Sequence, residues 1–121
     1  MKTASLQLLP STSHGSATGN YNGISLTFAG AIQKAANYYL QGTGLQTVAF
    51  FTTALVGTVT VEATLETTPA SDADWFTVYT LPGTTPLTVN TSTNITGNFT
   101  WIRARVSDFT AGTINKITLS Y

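Results

Sequence analysis

The sequence predicts an all-β protein, an antiparallel β-sandwich of jelly-roll type with about eight strands. Three observations carry this. Thr makes up about a fifth of the 121 residues, and this β-branched side chain suits the outer face of a sheet. The stretch "GTVTVEATLE", 57–66, alternates strictly: Val59, Val61, Ala63 and Leu65 face one way, and Thr58, Thr60, Glu62 and Thr64 the other. That is the pattern of a half-buried antiparallel strand. Turn-forming clusters recur between short apolar runs, and no convincing helix interrupts them.

In chain order, "TASLQLL", 3–9, reads as a first strand. "PSTSHGSATGNYNG", 10–23, is a polar arm whose composition would be disordered in isolation, so it is expected to pack on its own sandwich or on a neighbouring subunit. "ISLTF", 24–28, is a second strand. In "AGAIQKAANYYLQG", 29–42, residues 31–36 read as strand or as a single helical turn, and Asn37–Leu40 as strand. "LQTVAFFTT", 45–53, is a buried strand with weak alternation, and 57–66 follows as another. "TTPASDAD", 67–74, is a turn cluster, "WFTVYTL", 75–81, a strand, and "PGTTP", 82–86, a turn. "LTVNTSTNI", 87–95, reads as one weak strand or two short ones. "NFTWIRARVS", 98–107, and "GTINKITLSY", 112–121, close the chain, joined through "DFTA". No repeat recurs at periods of roughly 20–50 residues. The chain is a single domain by length, with 1–23 an N-terminal strand and polar arm and 24–121 the sandwich.

Composition narrows the function classes. Hydrophobic residues make up 42% of the chain, enough for a core, while charged residues make up only 8%. Formal net charge is zero, which argues against nucleic acid, whose phosphates call for a basic face. Neutrality also gives little protection from self-association, so an uncharged, Thr-coated sandwich suits a subunit of an assembly. There is no cysteine, which excludes disulfides and thiolate metal sites. The N-terminus lacks the roughly 7–15-residue apolar run of a signal peptide. No stretch approaches the ~20 apolar residues of a membrane span. A soluble protein made in the cytoplasm, without a membrane partner, is expected.

Few residues could carry chemistry. His14 stands alone in the polar arm, and a triad needs a base oriented by a carboxylate beside a nucleophile. No catalytic residue is therefore assigned. Asp72 and Asp74 could offer oxygens to Ca²⁺, but that ion takes about 6–8 and no third carboxylate is near, so turn chemistry is the better reading. The same pair sits on one short turn rather than across a cleft, which argues against a glycosidase dyad. No metal ligand and no cofactor are assigned. Glu62, on the polar face of its strand, can pair across strands with Arg103 or Arg105. The "NTS", "NIT" and "NFT" triplets at Asn90, Asn94 and Asn98 are expected by chance in a Thr-rich chain.

Trp101, Arg103 and Arg105 form the candidate interface. Ile102, Ala104 and Val106 alternate with them as the natural core face, so the Trp–Arg stripe projects from the opposite face. It carries two of the five basic residues. Three readings stay open: a solvated sheet face, a subunit interface rich in hot-spot residue types, or a ligand face on which Trp101 stacks a sugar.

"GLQTVAF", "GTVTVEATLETTP", "DADWFTV", "GNFTWIRARV" and "GTINKI", in this order, resemble small virion structural proteins of tailed bacteriophages, particularly those of cyanobacteria. The resemblance covers roughly residues 38–121. "VTVEATL", "DWFTV" and "TWIRARV" are also similar to the galactose-binding-like jelly roll of discoidin-type domains, although no loop motif for sugar contacts is present. The phage resemblance implies a non-enzymatic role in the virion. First comes a head decoration or cement protein bridging major capsid subunits and commonly trimeric; a neck, tail or fibre component follows. The discoidin pattern implies, as a further alternative, a carbohydrate-binding module reading host-surface glycans. Expected partners are copies of the chain itself, with a trimer favoured, and the major capsid protein or other virion proteins.

Overall fold

The computed structural model describes residues 5–36, 38 and 44–121. Its frame is a ribbon of two 20-residue strands. To name them in chain order, the strands are β1 (Ser5–Leu9), β2 (Thr12–Ser13), β3 (Phe28–Ala29), β4 (Gln33–Lys34), β5 (Leu45–Thr64), β6 (Phe76–Thr80), β7 (Leu87–Thr96) and β8 (Trp101–Ser120). β5 and β8 pair antiparallel from Thr47 opposite Ser120 to Thr64 opposite Trp101. On the free side of β5, β7 pairs with its first half and β6 with its second. On the free side of β8, β1 and β2 pair with its second half, and β3 and β4 with its first. All of these pairings are antiparallel.

This single hydrogen-bonded sheet becomes a sandwich because the ribbon bends at its middle. The β5–β8 register shifts between Thr53 and Val56 and again between Val56 and Thr58. Ala54 and Asp108 adopt positive φ, 50° and 53°, and Gly112 has φ 91°. Extra residues at such bulges kink a strand and raise its twist. The close approach at Gly112 explains the glycine: a side chain there would run into the Ala54 carbonyl. The two halves then face one another. Gln33 Nε2 donates to the Gln7 carbonyl at 3.0 Å, the Tyr121 hydroxyl to the Lys34 carbonyl at 2.9 Å, and the Ala36 N–H to Gln46 Oε1 at 2.9 Å. Each of these bonds joins one half to the other.

Between the halves lies the core. Leu8, Val48, Phe50, Ile117 and Leu119 come from one half; Val59, Val61, Ile102, Ala104 and Val106 come from the other. Phe50 stacks on Tyr79 at 5.7 Å between ring centres. At the bend, Phe109 meets Tyr21 at 5.2 Å and Phe28 at 5.8 Å. Aromatic pairs in such tilted and edge-on geometries stabilise beyond their area burial.

The sequence reading holds for the class and alternation and departs in several places. The expected strands 45–53 and 57–66 are one continuous β5, and 98–107 and 112–121 are one β8, because bulged ladders bend without ending. Gln46 and Thr52 are buried on the core face, which is why 45–53 looked poorly alternating. Gln46 tolerates burial because Nε2 donates to the Gly44 and Ile95 carbonyls while Oε1 accepts from Ala36. Thr64, expected outward, is buried, with its hydroxyl donating to the Asp74 carbonyl at 2.7 Å. Leu65, expected in the core, lies just past the strand end and is exposed. The strand expected over 24–28 shortens to Phe28–Ala29, and Ile24 and Leu26 are exposed. Asn22 explains the shortening: its Oδ1 accepts from the Ile24 and Ser25 amides and holds 22–25 as a turn. Within 31–36 the strand alternative holds at Gln33–Lys34. The expected strand Asn37–Leu40 lies, apart from Tyr38, outside the described residues. Residues 10–23 pack on their own sandwich, with Thr12 and Tyr21 buried and the Tyr21 hydroxyl accepting from the Gly15 amide at 3.0 Å.

Candidate functional site

The site is the outer face of the β5–β8 ribbon where Trp101, Arg103 and Arg105 emerge, together with the 65–75 segment that crosses it. Alternation along β8 sends Ile102, Ala104 and Val106 into the core and the Trp–Arg stripe to the other side.

Local chemistry fixes the crossing segment. Ser71 caps a 3₁₀ turn over Asp72–Asp74, with its hydroxyl accepting from the Ala73 amide. Asp74 closes the reciprocal capping box: its Oδ2 accepts from Ala70 N–H at 2.7 Å and from Ser71 N–H at 3.2 Å. The sheet then ties the segment down. Thr64 donates to the Asp74 carbonyl, Thr100 Oγ1 to the Leu65 carbonyl at 3.1 Å, and the Trp101 indole N–H to the Thr67 carbonyl at 2.9 Å.

This places Asp72 over the stripe. Arg103 lies opposite Glu62 in the ladder, and its Nε donates to Glu62 Oε1 at 2.8 Å. Its Nη2 reaches Asp72 Oδ1 at 3.0 Å. Arg105 Nη1 reaches Asp72 Oδ2 at 3.4 Å. The Arg103 guanidinium stacks 4.3 Å from the centre of the Trp75 ring. Hydrogen bonding from Arg103, reinforced by the charges of Arg103 and Arg105, holds the Asp72 carboxyl below its ordinary value of 3.8. Burial grades along the cluster. The Arg103 and Glu62 side chains are 9% and 13% exposed, whereas Asp72 is 70% exposed. The Arg103–Glu62 contact is therefore nearly desolvated, and the Asp72 contacts are screened by water.

Two arginines and two carboxylates make a formally neutral group joined by three ion-pair contacts, buried at Arg103 and Glu62 and open to water at Asp72. Chemically it is a clamp holding the 65–75 segment to the sheet. A shallow cleft of about 250 Å³ opens beside it, lined by Ile32, Pro69, Trp75 and Arg103 among others.

The cross-strand pairing of Glu62 with Arg103 is found as expected. Asp74 does the turn chemistry expected of the pair, whereas Asp72 is an ion-pair partner, a role the sequence reading did not assign. Trp75 opens the strand expected over 75–81, and its stacking on Arg103 is not visible in strand alternation. The signal was available: a Trp directly after an acidic turn, with a Glu and two Arg at matching parity on strands that pair. Trp101 is partly covered, its ring and that of Tyr38 meeting at 61° with 4.9 Å between centres. His14 lies away from this group, with its backbone N–H on the Gly112 carbonyl and its ring edge-on to Phe109 at 5.4 Å. Asn90 and Asn94 lie on β7. Among the described residues, no group of three or more His, Cys, Asp or Glu side chains is placed to hold a metal ion. No described helix is long and apolar enough to cross a membrane.

Comparison with protein-family models gives no match, and comparison with curated proteins gives none either.

Proposed function

We propose that this chain is a non-enzymatic structural protein of a tailed-phage particle, in the first place a head decoration or cement protein. In this role it binds the major capsid protein and copies of itself and works in the virion. The observation that carries the reading is where the charges go. Of five basic and five acidic residues, Arg103, Arg105, Glu62 and Asp72 neutralise one another in the clamp. The other six charged residues of the sequence take no part in the clamp, and the commonest exposed residues among those described are Thr, Ser and Asn. Such a surface can meet its own kind, or a capsid lattice, with few charges to desolvate.

The segments that carry the resemblance to phage proteins also hold the clamp. Glu62, Asp72, Trp75, Trp101, Arg103 and Arg105 all lie in the segments that carry it, "GTVTVEATLETTP", "DADWFTV" and "GNFTWIRARV". Those segments build the clamp, so in this chain they serve architecture. A sugar platform on Trp101 is less favoured, since its indole N–H is bonded within the chain and the Tyr38 ring packs against it.

Mass spectrometry of purified particles, with symmetry-averaged density, tests the proposal. The chain should be present in many copies on the head. Density on the neck, tail or fibre instead would move it to the alternative position. A strict monomer absent from particles would overturn the reading, and glycan-array binding lost in Trp101→Ala would replace it with the carbohydrate-binding alternative.

A further inference from the structure

We propose that β7 is a self-pairing edge, joining two copies of this chain strand to strand about a two-fold axis into one continuous sheet. The inference rests on the assembly reading only in that copies of the chain meet; the surface itself is argued from the strand.

β7 runs for ten residues, Leu87–Thr96, and pairs only with β5. Among the described residues nothing pairs with its other side. Long free edges are normally blunted by Lys, by Pro or by a bulge that twists them away. Neither Lys nor Pro occurs within Leu87–Thr96, and the one irregularity of its ladder lies at the Leu87 end, opposite Thr52–Leu55. No Asp, Glu, Lys or Arg occurs between Asp74 and Arg103, so neither β7 nor its flanks carry a charge. From Val48–Thr93 to Thr52–Val89 the ladder to β5 runs without a shift, so the edge is straight there. β1 and β6, with five residues each, offer half the length.

Direction of the backbone groups follows from the bonds on the β5 side. The Val89 N–H and the Leu87 carbonyl meet Thr52 Oγ1, and the Ile95 carbonyl accepts from Gln46. The odd-numbered residues therefore turn their backbone groups to β5. By strand alternation, Thr88, Asn90, Ser92, Asn94 and Thr96 turn theirs outward.

A second copy of β7 fits this edge best. In an antiparallel pairing centred on Ser92, Ser92 lies opposite itself, Asn90 opposite Asn94, and Thr88 opposite Thr96. Every outward N–H then finds a carbonyl. The same register puts Val89 opposite Ile95 and Thr91 opposite Thr93 on the core-facing side. These are pairs of β-branched residues, which suit cross-strand contact. On the outer side each residue opposes another that both donates and accepts. Charge is what usually forbids such a contact, because a two-fold axis sets like charges against each other, and this edge has none.

Ser92→Cys tests the register directly, since the chain has no other cysteine. Opposed residues in a hydrogen-bonded antiparallel pair have Cα atoms about 5.5 Å apart, within disulfide range. Under mild oxidation, Ser92→Cys should form a covalent dimer at least about tenfold faster than Ser16→Cys, an exposed control off the edge, because pairing raises the local thiol concentration. Ser92→Lys, on the solvent face, should keep the far-ultraviolet dichroism of the parent while lowering its mass in light scattering by the loss of this contact. Equal cross-linking rates for the two cysteine variants would overturn the proposal. If the parent is a multimer that Ser92→Lys leaves intact, edge pairing fails while the assembly reading stands. Single-chain mass at every concentration, with no cross-linking, overturns edge pairing, whereas the virion reading falls only if the chain is also absent from particles.

Discussion

Replacing Arg103 with methionine removes the charge at the centre of the clamp but keeps most of the aliphatic stem. Three contacts are lost. The bond to Glu62, nearly desolvated, is charge-assisted and contributes roughly 1.5–3 kcal/mol. Stacking on Trp75 contributes about 0.5–1 kcal/mol. The Asp72 contact, largely exposed on the acid side, contributes about 0–1 kcal/mol after screening. The expected loss is about 3 kcal/mol, which for a domain of this size lowers Tm by about 12 °C. Much of that loss comes from stranding the Glu62 carboxylate with little access to water. The double variant Glu62→Leu/Arg103→Met should therefore recover most of it and fall within about 1 kcal/mol of the parent. Urea denaturation of the parent, both single variants and the double variant measures the cycle, provided m is unchanged. A loss below about 1 kcal/mol for Arg103→Met, or additive effects in the double variant, would refute a desolvated, coupled pair.

Further expectations concern the arm, the bend and acid stability. Tyr21→Ala empties a fully buried ring site beside Phe28 and Phe109 and should cost about 3–5 kcal/mol; hydrogen exchange should show the amides of residues 12–23 losing protection before the rest of the sheet. Gly112→Ala forces a side chain into the Ala54 carbonyl at positive φ and should cost more than about 2 kcal/mol by denaturation, whereas Gly15→Ala, at positive φ in open space, should cost only about 1 kcal/mol. The Asp72 carboxyl is held below 3.8, so its contribution is fully present above that pH and is lost as pH falls through the lower folded value. Asp72→Asn should accordingly lower stability at neutral pH and leave it nearly equal to the parent at the acid end, as a pH series of thermal melts would show.

Sequence alone gave access to much of this architecture, for physical reasons that particular residues make plain. Val59, Val61 and Ala63 alternate with Thr58, Thr60 and Glu62, and period-two alternation on a half-buried strand is a strong local signal. The same signal placed Ile102, Ala104 and Val106 in the core and so put Arg103 and Glu62 on one face. It failed where burial was polar. Gln46, Thr52 and Thr64 sit inside because specific carbonyls and amides satisfy them, and those partners come from distant segments. It also failed at the bend, since Ala54 and Asp108 at positive φ are not residues that announce a bulge. Local alternation therefore yields two strands where one bent strand runs. At the clamp, the Glu62–Arg103 pair was foreseeable from parity, whereas Asp72 reaches the stripe only through the fold-back of 65–75, fixed by Ser71, Asp74 and Thr100. The free edge of β7 is a property of topology, and the absence of charge between Asp74 and Arg103 takes on meaning only once that edge is known to be open.

This chain pairs four of its ten charged side chains with one another in the clamp, and we propose that its sparsely charged surface serves assembly with its own kind. Multi-angle light scattering across a concentration series tests it most directly. A mass that rises to a multiple of the 12.8 kDa chain is the predicted result. A mass that stays at 12.8 kDa throughout would contradict it.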